Sequence, residues 1–175
     1  MRLAAILAMA AGAAILTGCG PVVSVQPLYT EQDLVYDLPL EGTWAAQDDG
    51  EIWQVQRSGD GYRFESSADK FIVHLLHVNG LRFLDITSPA ESALAVSGHV
   101  FAKVWMEDGA LRISLMNDTW VEKIVQQGLG PQSVTNSERE VVLTAPTNEL
   151  QRFVWLYAAD PEAFETDAGE WRRVP

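Results

Sequence analysis

The amino-acid sequence predicts a β-rich domain, an antiparallel meander that forms a curved sheet or a barrel and carries a packed C-terminal helix. Three observations lead there. Short runs alternate apolar with polar residues, the period of a half-buried strand. Compact turn signals separate those runs, Asn79-Gly80 above all. Only late in the chain does the apolar spacing change to that of a helix.

Each element has its own warrant. Trp53 and Val55 alternate with Gln54 and Gln56, and Tyr62-Arg63-Phe64-Glu65 alternates again across Ser58-Gly59-Asp60-Gly61, so the two runs form a hairpin. Phe71 to Val78 is rich in β-branched and aromatic residues and reads as a strand. Leu81 to Thr87 returns beside it, because Asn79 and Gly80 both tolerate positive φ. Val100 to Met106 and Leu111 to Met116 make a third hairpin across Glu107-Asp108-Gly109. With the strand signals that begin at Glu41, these runs give about seven strands in meander order.

Two helices follow. Thr119 and Glu122 have capping-box spacing, Val121, Ile124 and Val125 share a face, and Gly128 fits just past the end. Val141-Val142-Leu143 predicts one more strand. Leu150, Phe153, Val154 and Tyr157 form one apolar helix stripe, started by Pro146-Thr147 and stopped by Asp160-Pro161. Residues 161–175 hold charges around the isolated aromatics Phe164 and Trp171, and a partly disordered tail is expected there.

The N-terminus reads as an address. Arg2 precedes an unbroken run of small and apolar residues from Leu3 to Leu16, too short for a bilayer span of roughly 20 residues. A charged start, a short apolar run and small residues before a cut point describe an export signal. Leu16-Thr17-Gly18-Cys19 resembles the lipobox of bacterial lipoproteins. The resemblance implies cleavage after residue 18, with acyl chains such as palmitate on Cys19, which becomes the first mature residue. Gly20 stands where an aspartate would favour inner-membrane retention. An outer-membrane location facing the periplasm is therefore expected.

Four segments result: a signal peptide at 1–18, a lipid-anchored tether at 19–40, one β-rich domain with its helix at 41–160, and the tail at 161–175. Within the tether, the stretch near Tyr29 to Leu38 is apolar enough to pack on the domain. Removing 18 of 175 residues leaves 157, enough for one domain with a real core. Losing Arg2 moves the formal charge from −12 to −13. So acidic a body argues against nucleic acid and against a polybasic grip on anionic lipid. Cys19 is the only cysteine, so stability must come from packing without an internal disulfide.

Leu40-Glu41-Gly42-Thr43-Trp44 resembles the G-x-W opening of lipocalin-like barrels. That likeness implies that the glycine allows close approach at the closed end of the barrel and that the tryptophan plugs it. It also implies an arginine stacked on the tryptophan, which the sequence does not identify. The helix at Thr119 departs from the lipocalin order, in which all strands precede the main helix. Pro27-Leu28-Tyr29-Thr30, Asp33-Leu34-Val35, Leu40 to Trp44, Phe83-Leu84-Asp85 and Glu149-Leu150-Gln151 are similar to segments of a group of uncharacterised bacterial envelope lipoproteins. This resemblance implies a shared architecture and anchor and no particular activity.

Candidate chemistry is sparse. His74 and His77 lie three apart in one strand and face opposite sides, which disfavours a metal site with His99. Neither a metal nor another cofactor is expected. Asp85 interrupts an apolar strand; with Leu84 and Ile86 facing inward, it should meet solvent or a neighbouring arginine. A hydrolase using Asp85 with His74 or His99 is the alternative, because a buried carboxylate can serve as acid or base. Asp48-Asp49-Gly50-Glu51 reads as a solvated hairpin turn, and no G-x-S-x-G elbow or phosphate loop is present. The tryptophans are the unusual enrichment. Trp44, Trp53 and Trp105 are the candidate ligand-binding rings, with core filling as their simpler role. The leading expectation is a non-enzymatic, membrane-anchored envelope module that binds a small apolar ligand or an envelope protein.

Overall fold

A computed structural model describes residues 21–89, 97–137, 140–164 and 168–174 (the backbone alone at 38). Eight strands close into an antiparallel barrel. They are β2 (Gly42–Ala46), β3 (Ile52–Ser58), β4 (Gly61–Glu65), β5 (Lys70–Val78), β6 (Leu81–Thr87), β7 (Val100–Glu107), β8 (Ala110–Leu115) and β11 (Gly169–Arg173). The first seven run as the expected meander. Closure comes from β11, which pairs with β8 through Trp171↔Leu111 and with β2 through Trp171↔Ala46. The expectation of a disordered end is therefore corrected for Gly169–Arg173. Its single inward ring, Trp171, is flanked by charges that face out, so the segment carries little apolar signal until two strand edges are offered to it.

Three further strands form a separate sheet outside the barrel: β1 (Val23–Ser24), β9 (Ser133–Thr135) and β10 (Val141–Leu143). The strand expected at Val141 exists, but it pairs in parallel with β1 and antiparallel with β9. Helix α1 spans Asp118–Gln126 and helix α2 spans Thr147–Leu156. The start of α1 lies earlier than its capping box suggests. Asn117 is the cap, its side-chain oxygen accepting the Trp120 amide at 3.0 Å.

Strand alternation divides the apolar residues between two cores. Trp44, Trp53, Val55, Phe64, Val73 and Leu84 point into the barrel. Leu76, Phe83 and Phe101 point out, yet they are equally buried, because both helices and the N-terminal segment cover that side. Burying one such side chain contributes about 1.5–3 kcal/mol, so the outer layer is a major part of the fold.

The N-terminal segment is part of this layer. Val22 is buried, and Leu28 is fully buried beneath α2. Thr147 donates its hydroxyl proton to the Pro27 carbonyl at 2.8 Å, and Gln151 donates to the Leu28 carbonyl at 2.9 Å and to Asp33 at 2.8 Å. Among the described residues, the part of the tether that packs on the domain includes Val22 and Leu28 as well as the stretch near Tyr29. Cys19 and the expected signal peptide lie outside the described residues.

Candidate functional site

The interior of the barrel is occupied by its own rings. Trp53 stacks on Trp171 at 5.5 Å and on Phe71 at 5.9 Å between centroids, and Phe64 tilts against Trp171 at 6.0 Å. Trp44 and Trp53 are each 1 % exposed. Trp44 donates its indole proton to the Leu40 carbonyl at 2.9 Å, and Trp53 donates to Glu51 at 3.1 Å. Both expected ligand-binding rings therefore line the inner core. Trp105 points outward and is half-buried, with the ammonium of Lys103 at 5.6 Å from its ring centroid. That ammonium also donates to the Ala158 carbonyl at 2.7 Å. The three rings do not converge on one surface.

One end of the barrel is sealed by Gly42, Trp44 and Arg173. The Arg173 guanidinium lies 4.9 Å from the Trp44 ring centroid and donates to the carbonyls of Pro39 and Glu41. Gly42 sits at φ +140°, and a Cβ there would stand 3.0 Å from the Arg173 guanidinium. The arginine implied by the G-x-W resemblance is thus found 129 positions after Trp44, in the last strand. The strand that supplies it carried no clear sequence signal.

A polar group is buried on the outer face. Asp85 is 0 % exposed and sits under the N-terminal segment. One of its oxygens accepts the Leu28 amide at 2.7 Å, and the other faces His99 Nδ1 at 2.7 Å. Leu84 and Ile86 do face inward as expected, but Asp85 meets neither solvent nor an arginine. The N-terminal segment, 57 residues away in sequence, covers it. His74 lies across from Asp85 in register. It stacks on Tyr29 at 4.3 Å and faces Asp60 at 3.2 Å. Burial, and then the charges of Asp85 and Asp60, push the Tyr29 phenol above its ordinary value of 10.0.

Among the described residues, this arrangement joins an acid to a histidine. Ser24, whose backbone pairs with that of His99, is buried and donates its hydroxyl proton to the Gln26 carbonyl at 2.8 Å. His77 is exposed and accepts from Arg82 at 3.2 Å, so it joins neither of the other histidines. Among the described residues, no three His, Cys, Asp or Glu side chains come together to hold a metal.

The fold and site define a closed, lipocalin-like antiparallel barrel with a filled interior and a buried Asp85–His99 pair. No protein-family model, curated protein or solved structure matches the chain. Among the described residues, no helix is long and apolar enough to cross a membrane. The outward residues Gln54, Gln56, Arg63 and Glu65 are polar, unlike the apolar band of a barrel that spans lipid.

Proposed function

We propose that this protein is an envelope lipoprotein, held at a membrane through acyl chains on Cys19, whose barrel is a non-enzymatic module for contact with another envelope protein. The filled interior carries the choice of a protein partner over a small apolar ligand. Ligand pockets of barrels are cavities of about 300–1,000 Å³, whereas here Trp44, Trp53, Trp171, Tyr62 and Phe64 occupy the inside. Fatty acid on Cys19 would give an anchor to a body whose described residues hold no spanning helix and whose net charge is acidic. An outer-membrane position facing the periplasm follows from Gly20 after the cysteine.

Two experiments test this reading. Cys19→Ser should move the protein from the membrane to the soluble fraction, and retention would overturn the anchor. Mass spectrometry of material extracted with the purified domain should find no stoichiometric lipid. A reproducible apolar ligand would restore the carrier reading.

The Asp85–His99 contact at 2.7 Å favours a hydrolase as the second reading. Against it, both carboxylate oxygens are already engaged and the neighbouring Ser24 hydroxyl serves Gln26. Turnover of ester or peptide probes that is lost in His99→Gln while the fold is retained would support it.

A further inference from the structure

We draw no further inference here: the strongest candidate, the exposed apolar pair Trp155 and Leu156 on the last turn of α2, is a surface patch, and nothing in the structure shows what covers it.

Discussion

The guanidinium of Arg173 lies over the ring of Trp44, 4.9 Å from its centroid, and joins the last barrel strand to the first. Its donors also reach the carbonyls of Pro39 and Glu41 just ahead of β2. One side chain thus closes the seam of the barrel and caps its end. Arg173→Ala removes the stacking and both hydrogen bonds. A loss of about 1–3 kcal/mol is expected from contacts of these kinds, read as a lower midpoint in urea unfolding. Arg173→Lys should recover only part of it, because an ammonium lacks the planar fork.

Gly42→Ala attacks the same seam from the other side. The added Cβ meets Arg173 at 3.0 Å, and φ +140° is strained for any other residue. A cost of about 1–3 kcal/mol is expected for such a backbone position. Combined with Arg173→Ala, the steric part of that cost should shrink while the backbone strain remains. The double mutant should therefore lose less than the sum of the single losses, which a double-mutant cycle in urea would measure.

Asp85 ties the N-terminal segment to the barrel. Asp85→Ala leaves the Leu28 amide without its acceptor and His99 Nδ1 without its partner. A buried donor left without its acceptor costs about 1–3 kcal/mol. Hydrogen exchange should show lost protection at the Leu28 amide before the barrel strands respond. Unchanged exchange at that amide would count against this tie.

Trp171→Ala removes a ring from the centre of the inner core, where Trp53 stacks on it and Phe64 tilts against it. Truncations of this kind cost about 3–5 kcal/mol. If the variant folds, it should bind a small apolar probe that the native domain excludes, detectable by calorimetry. Native protein that binds the same probe equally well would contradict a filled barrel.

The N-terminal segment also titrates. Burial acts to raise the Asp33 carboxyl, but the hydroxyl and amide of Thr30 and the side chain of Gln151 all donate to it and hold it below its ordinary value of 3.8. A carboxyl lowered in the folded state stabilises that state above its unfolded value. The contribution is therefore complete above pH 3.8 and fades as pH falls below it. Gln151→Leu should narrow that acid window, seen as a smaller drop in thermal midpoint between pH 4 and pH 3 than in the native protein. At the alkaline end the sign reverses. Tyr29 and Tyr62 are both held above 10.0, chiefly by burial, so stability is lost as pH rises past 10.

The local chemistry of the sequence determined seven of the barrel strands, their turns and the inward face. Asn79-Gly80 closes β5 onto β6 because both residues adopt positive φ there. The stripe Leu150, Phe153, Val154 is buried on α2 as its spacing requires. These are properties of neighbouring residues, so they are written in short runs. Tertiary structure alone decided what sits next to what across the chain. Gly169–Arg173 becomes a strand only because β2 and β8 leave two open edges whose backbone groups need partners. Val141–Leu143, the stronger strand by its residues, is left to the small outer sheet. Asp85 draws its partners from Leu28 and His99, and Trp44 draws its arginine from the far end of the chain. No local pattern encodes those pairings, because burial and hydrogen-bond satisfaction are settled only when distant segments meet.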